Sequence, residues 1–385
     1  MAGHGTAAAI ACAFLVIGAM VTAIRPVHPP IDGKLTVSFL DVGQGDSALI
    51  VFPKGTTMLV DAGGEIHLTS RPAAGRRAPK RSKAGRGKRQ RSTGSPEGPK
   101  GGTSRQSLAA NAAGNIPQWQ ALDDTAAVIG EPVAESTYDS TAGSDDEANF
   151  DDSGFSIGEA VVSRFLWSRG MRNLNYLLAT HAHQDHIGGM QDVLRNFTVG
   201  DLLVGHVATS SADFRHLERW AAAQHVPIES VTEGNQFYID GVKVEVLWPA
   251  LPAPGEVVTS VNNDSVVLRL TYGSVSFVLA GDAEQPAEDA MIASGAGLQA
   301  QVLKVGHHGS RTSSSEEFID AVKPKYAIIS VGERSRFGHP HKEVVDRYLA
   351  HGINLLETGR DGTITAVTDG THLTIATYRT NYHGN

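Results

Sequence analysis

The chain has 385 residues, long enough for one large or two ordinary domains with a sizeable core. Its net charge of −8, from 33 Lys and Arg against 41 Asp and Glu, excludes the global basic field that drives non-specific nucleic-acid binding, so any such contact is local. A single cysteine, Cys12, excludes an intramolecular disulfide framework and a thiolate zinc knuckle, while sixteen histidines are an unusual count.

Residues 7–24, AAAIACAFLVIGAMVTAI, carry no charge. As a helix they would reach roughly 27 Å, close to the hydrocarbon thickness of a bilayer. They read as a single-pass anchor or a signal peptide. Val21-Thr22-Ala23 fits a small-residue cleavage pattern, whereas the preceding MAGHGT lacks the Lys or Arg of a secretory n-region. Residues 1–30 are therefore expected to be a membrane anchor or signal segment, which puts the remainder in the cell envelope. Strand-like runs follow at 35–42, 47–52 and 57–60, broken by Gly43, Gly45, Pro53 and Gly55. Beyond Asp61-Ala62-Gly63-Gly64 the pattern collapses, and 67–154 reads as one disordered insertion. Its first half holds twelve Lys or Arg between 70 and 105 against one acid, Glu97; its second half is acidic. The basic half is a solvated tail or an electrostatic arm for nucleic acid or anionic lipid. What remains of 31–385 suits one domain.

In that remainder, apolar spacing predicts a helix over 156–169, a strand over 174–179, a helix near 188–196, a strand over 199–204 and a helix over 211–225. Strands are expected at 243–247, 265–271 and 275–280, then a helix at 284–293 and a strand at 300–305. A helix at 316–322, a strand at 326–331, a helix at 342–351 and terminal strands at 353–356 and within 363–375 complete an α/β pattern in two halves.

The chemistry concentrates after the 174–179 strand, in Thr180-His181-Ala182-His183-Gln184-Asp185-His186-Ile187-Gly188-Gly189. In an extended loop, residues two apart point the same way, so His181 and His183 can meet one metal ion while Asp185 and His186 face a second. Carboxylates stand at other strand ends: Asp61 after TMLV, and Asp282 after SFVLAG, where Gly281 permits a sharp turn and the carboxylate can bridge two cations. The strand QVLKV runs into Gly306-His307-His308-Gly309-Ser310, and Phe337-Gly338-His339-Pro340-His341 adds two more imidazoles. Imidazole and carboxylate donors suit two divalent ions, Zn²⁺ or Mn²⁺, and no thiolate selects between them.

The segments DVGQGDS, DAGG, THAHQDHIGG, NNDSVVLRL, LAGD, LKVGHHGSRTSS and FGHPH resemble the metallo-β-lactamase superfamily. More narrowly, they resemble the β-lactamase-like domain at the C-terminus of ComEC-type competence DNA-uptake proteins. The resemblance spans nearly all of 35–375 except the insertion. It implies a four-layer αββα sandwich with a binuclear metal centre between two β-sheets. It further implies that His181, His183 and Asp282 hold one metal, that Asp185, His186, Asp282 and one of His307 and His308 hold the other, and that Asp61 orients the ligand loop.

Hydrolases of this superfamily commonly carry a Gly-His ligand before the strand leading to the bridging Asp, and Val261-Asn262-Asn263-Asp264-Ser265 stands there instead. The first metal is then weakly held, or completed by Asn263, Asp264 or water. Competence proteins also have many membrane helices, where this chain has at most one. Asp185 and His339 are the catalytic candidates, with His339 or His341 as general acid. Ser310, Arg311, Arg334 and Arg336 are expected to bind substrate phosphates. The leading expectation is an envelope nuclease or phosphodiesterase acting on DNA or RNA. Its rivals are a small-molecule ester, lactone or lactam hydrolase on the same centre, and a non-catalytic adaptor. No protein partner is inferable.

Overall fold

A computed structural model of the chain describes residues 31–64, 156–205, 211–251 and 261–379; the apolar stretch 7–24 and the 67–154 insertion lie outside the described residues. Among the described residues, no helix is long and apolar enough to cross a membrane.

The first sheet has eight strands. β1 (Leu35–Phe39), β2 (Ala48–Val51) and β3 (Thr57–Val60) form an antiparallel meander, and β4 (Asn173–Ala179), β5 (Thr198–Val204) and β6 (Ile228–Ser230) continue it in parallel. The second sheet has seven strands. β7 (Gln236–Ile239), β8 (Val242–Trp248), β9 (Val267–Tyr272) and β10 (Val275–Leu279) are antiparallel, and β11 (Val302–Lys304), β12 (Tyr326–Ile329) and β13 (Asn354–Glu357) run parallel to β10. β14 (Ile364–Thr368) and β15 (Leu373–Thr377) return the chain to the first sheet, where β14 pairs with β1.

Residues of one strand alternate between different cores, which defines the layers. Leu35, Val37 and Phe39 of β1, Ile50 of β2 and Leu178 of β4 pack with Val244, Leu268, Phe277 and Val302 of the second sheet in one cluster between the sheets. Leu49 and Leu177, next to Ile50 and Leu178 in sequence, face a second cluster together with Leu59, Leu202 and the helices α1 (Arg164–Ser168), α3 (Met190–Asn196) and α4 (Ala212–Ala223). Val278, Leu303, Ala327 and Ile329 face a third, covered by α5 (Gln285–Ala293), α6 (Glu316–Val322) and α7 (Lys342–Ala350). Three apolar cores therefore separate helix, sheet, sheet and helix layers.

Several local features differ from the sequence expectation. β6 and β7 are short, half-exposed edge strands whose alternation is too brief to read. The run 363–375 breaks into the β14–β15 hairpin. Its turn is held by the side chain of Asp369, which accepts from the backbone N–H groups of Thr371 and His372, both at 2.8 Å. The 156–169 helix opens with a π-helical turn, Gly158–Ser163. The His-rich motif is not extended throughout: after His183 it winds into the short helix α2 (Gln184–Ile187).

Candidate metal centre

The parallel strands β3, β4, β10, β11 and β12 all end at one place, and the chemically active residues sit on the loops that leave them, as ligand sites of open α/β sheets do. Asp61 follows β3 at φ 55°, is fully buried, and accepts three hydrogen bonds. They come from the Thr180 N–H at 2.9 Å, the Thr180 hydroxyl at 2.7 Å and Nδ1 of His186 at 2.8 Å. A carboxylate accepts only, so Nδ1 of His186 carries the proton and Nε2 is turned inward.

The same device orients the other rings. Nδ1 of His308 donates to the Ser330 carbonyl at 2.9 Å. Nδ1 of His181 lies 3.1 Å from the Thr180 hydroxyl, whose own hydrogen goes to Asp61, and 3.2 Å from Ser265 Oγ. Asp282, placed by the Gly281 turn at φ +52°, has its N–H bonded to the same Ser265 hydroxyl. Its Oδ2 is then ringed by four Nε2 atoms: His186 at 3.2 Å, His308 at 3.4 Å, His181 at 3.9 Å and His307 at 4.0 Å. Asp185 Oδ2 lies 3.4 Å from His308 Nε2, and His183 Nδ1 lies 3.1 Å from His181 Nε2.

Nε2 of His186, Nε2 of His308 and Oδ1 of Asp282 are buried without hydrogen-bond partners. Inward lone pairs on nitrogen and oxygen repel unless a cation lies among them. Burial alone would lower His186 and His308, but Asp282 with Asp61 holds His186 well above the usual histidine range, and Asp282 with Asp46 holds His308 at about 9. Burial raises Asp282 and Asp185, and the facing histidines more than reverse this, so both stay ionised. Burial and the nearby His186 keep His181 well below its usual value. The donor set fits divalent ions: among the groups of closely spaced donors, His181 with His186 and Asp282, and Asp185 with His186 and His308, meet at His186, while the expected ligand His183 is in neither.

Two further residues belong to this cluster that the sequence pattern does not mark. Asp46, in the DVGQGDS loop, lies 3.5 Å from His308 and 3.8 Å from His186. Burial would raise its carboxyl, but Lys304 and His308 bring it down to about 2. Lys304 is a buried ammonium at the base of the site, paired with Asp46, donating to the Gly281 carbonyl at 2.8 Å and 3.8 Å from Asp282 Oδ1. The Gly-rich loop is shaped by close approach: Gly45 has φ +118°, and a Cβ there would meet the Asp185 carbonyl oxygen at 2.0 Å.

Other expected residues sit differently. His308 is the buried member of its pair, whereas His307 is half-buried and bonds through Nδ1 to Glu284 at 3.1 Å and Thr312 at 3.2 Å. Asn263 accepts from the Glu284 N–H at 3.1 Å, and it is Asn262 that reaches His307 Nε2, at 3.5 Å. Ser310 is turned inward and shares a hydrogen bond with Thr312, because the 306–309 turn folds its hydroxyl under the loop. Arg311 is exposed and paired with Glu343 at 3.4 Å; Arg334 and Arg336 are exposed. His339 packs among His307, His308 and His341, with ring centroids 5.6, 6.3 and 5.0 Å away. Burial, and then the positive charge of His308, lower its pKa to about 4.

Comparison with known proteins agrees with this geometry. The profile described as Metallo-beta-lactamase superfamily matches residues 152–333, the stretch that carries the His-rich motif, Asp282 and His308. Residues 152–333 thus carry a metallo-β-lactamase superfamily domain. It is 39% identical to "ComE operon protein 3" of Bacillus subtilis (strain 168) over 210 residues, 54% of this chain and 26% of that protein. It is 32% identical to "Competence protein ComA" of Neisseria gonorrhoeae over 216 residues, 56% of this chain and 28% of that protein. The chain thus spans about a quarter of the length of these curated relatives. Among solved structures, CmlA, a diiron beta-hydroxylase from Streptomyces venezuelae, aligns with a TM-score of 0.43 at 13% identity, covering 84% of this chain and 52% of that one. Superfamily members are metal-dependent hydrolases, and the cluster around Asp282 is where this chain would hold its metal.

Proposed function

We propose that the chain is a metal-dependent phosphodiesterase acting on DNA or RNA. The observation that carries this reading is the convergence of His181, His186, His307 and His308 on one buried carboxylate oxygen of Asp282, with two inward nitrogens left unpartnered. His181, His183 and Asp282 would hold one ion and Asp185, His186, Asp282 and His308 the other, as Zn²⁺ or Mn²⁺. When bound, such a pair activates water and neutralises charge developing on a phosphodiester. The protein's part is to hold the donors in place. Asp61 and the Ser330 carbonyl keep Nδ1 of His186 and His308 protonated, so that Nε2 remains free for an ion. Lys304 balances part of the negative charge of Asp46 and Asp282. His339, half-buried beside His307 and His308, would exchange a proton at the leaving side.

Similarity to proteins named for competence, and to "Recombination protein 2" of Haemophilus influenzae at 30% identity over 22% of that protein, supports a nucleic-acid substrate. On this reading the apolar stretch 7–24 would tie the domain to the cell envelope and the basic half of the insertion would attract polyanions. The test is to assay the full chain, loaded with Zn²⁺ or Mn²⁺, on single- and double-stranded DNA, RNA, nitrocefin and a lactone. Cleavage of nucleic acid that is lost in Asp185→Asn and Asp282→Asn is expected. Turnover of nitrocefin or lactone without nucleic-acid cleavage would contradict the assignment. Absence of any turnover in a metal-loaded protein would favour the adaptor alternative.

A further inference from the structure

A series of rings leads outward from the centre. His308 is buried against Asp282 and Asp185. His339 lies 6.3 Å from it at an interplanar angle of 28°, and Phe337 lies 5.9 Å from His339 at 30°. These spacings and angles are those of offset-stacked aromatic pairs. The outermost ring is 65% exposed, an uncommon state for phenylalanine beside a charged site. A lone exposed apolar residue needs no explanation. This one is held in place by a network. Ser335 Oγ accepts the N–H of Phe337 and of His339, each at 3.3 Å, and donates to Gln44 Oε1 at 3.0 Å, in the loop that carries Asp46. At the other end of the segment, the His341 N–H bonds to the Gly309 carbonyl at 2.9 Å, and the Arg311 N–H to His341 Nδ1 at 3.2 Å. Arg334 and Arg336 precede the phenylalanine in sequence and are exposed.

We infer that Phe337 is a stacking platform for a nucleobase, and that it makes single-stranded nucleic acid the preferred substrate. This rests on the nucleic-acid reading proposed above. Two ring spacings, about 12 Å at most, separate Phe337 from His308. Phosphates in an unstacked strand lie farther apart than the roughly 3.4 Å rise of stacked duplex, so this span corresponds to about two nucleotides. A phosphate at the Asp282 cluster would then place a neighbouring base over Phe337, with the arginines beside the backbone. A base can offer its face to the ring only when it is out of a duplex stack, which is the origin of the preference for single strands. The contact is sequence-tolerant because every base has a π-face. It also lies away from the reacting phosphate, so it acts on binding and positioning and leaves the metal ligands untouched.

The experiment compares wild type, Phe337→Ala and Phe337→Trp as full-length, metal-loaded proteins on a fluorescent oligo-dT strand, an abasic strand of the same length, and the matching duplex. Loss of the ring is expected to weaken oligo-dT binding and raise its KM by about 5- to 100-fold, with kcat within about three-fold. The abasic strand and the duplex should respond less than two-fold, and Phe337→Trp should bind oligo-dT at least as well as wild type. Quenching of the added tryptophan by oligo-dT, absent with the abasic strand, reads stacking without turnover. Equal effects on oligo-dT and abasic strands, or no effect on either, would overturn the platform while leaving a nuclease in place. Specific quenching in a protein that cleaves no nucleic acid would overturn the nuclease reading and leave the platform standing.

Discussion

Replacing Asp61 by Asn probes how the ligand loop is oriented. Asn is the substitution of choice because it fits the positive φ of 55° that Asp61 adopts and fills the same volume. Three donors converge on the carboxylate: the Thr180 N–H, the Thr180 hydroxyl and His186 Nδ1. The amide keeps one accepting oxygen and turns an NH₂ group toward at least one of these donors. Losing one buried hydrogen bond to a charged group costs about 1.5–3 kcal/mol, with more if a second donor is stranded. At about 2–4 °C per kcal/mol for a domain of this size, the melting temperature should fall by about 5–10 °C. An NH₂ facing Nδ1 also favours the tautomer with its hydrogen on Nε2, the nitrogen aimed at Asp282, so metal affinity should drop by about 10- to 100-fold. Thermal denaturation of the metal-free protein and competition with a chromophoric chelator measure the two effects separately. Metal affinity within two-fold of wild type would refute the orienting role of Asp61, whatever happened to the melting temperature.

Metal binding should be strongly pH-dependent. His308 keeps its proton up to about 9 in the metal-free fold, above its ordinary 6.5, so an ion must expel that proton at any lower pH. Affinity should therefore rise about ten-fold per pH unit for each proton displaced, up to pH 9, and calorimetry in buffers of different ionisation enthalpy counts the protons; a flat profile would contradict it. By the same linkage, the protonated ring's contribution to metal-free stability is fully present below 6.5 and lost as pH rises through about 9. Lys304→Met leaves the buried carboxylates of Asp46 and Asp282 without their ammonium and should destabilise the metal-free protein by about 3–5 kcal/mol, part of which added metal restores; an unchanged denaturation midpoint would show that the pair contributes nothing. Gly45→Ala places a methyl against the Asp185 carbonyl and should cost about 1–3 kcal/mol and reduce metal occupancy, whereas full occupancy would mean that the loop relaxes without moving Asp185.

The strand ends are legible in the sequence because apolar runs such as TMLV, NLNYLLA and SFVLA stop abruptly at Asp61, Thr180-His181 and Gly281-Asp282. The α/β pattern in two halves is legible in the same runs, whereas the two-sheet sandwich is implied only by the resemblance of the motifs. Asp46 is not marked in this way, since its place depends on a Gly-rich loop whose path is set by contact between Gly45 and Asp185, far away in sequence. Lys304 is hidden in an apolar strand, although a lysine in QVLKV is itself a signal of a long-range partner, here Asp46. Which of two adjacent histidines faces inward is a matter of backbone path: His307 and His308 have φ of 46° and 53°, and this left-handed turn sends His308 under Ser330 and His307 toward Glu284. The inward hydroxyl of Ser310 follows from the same turn, which no spacing rule anticipates.

The most direct measurement is the metal content of the full chain after reconstitution and desalting, for wild type beside Asp282→Ala, with circular dichroism to confirm that both are folded. Wild type should retain two ions of Zn²⁺ or Mn²⁺ per chain, and the variant, deprived of the carboxylate that four imidazoles face, should retain none or one weakly held ion. A folded wild type that retains no metal, or a variant that binds as much as wild type, would contradict the existence of the centre.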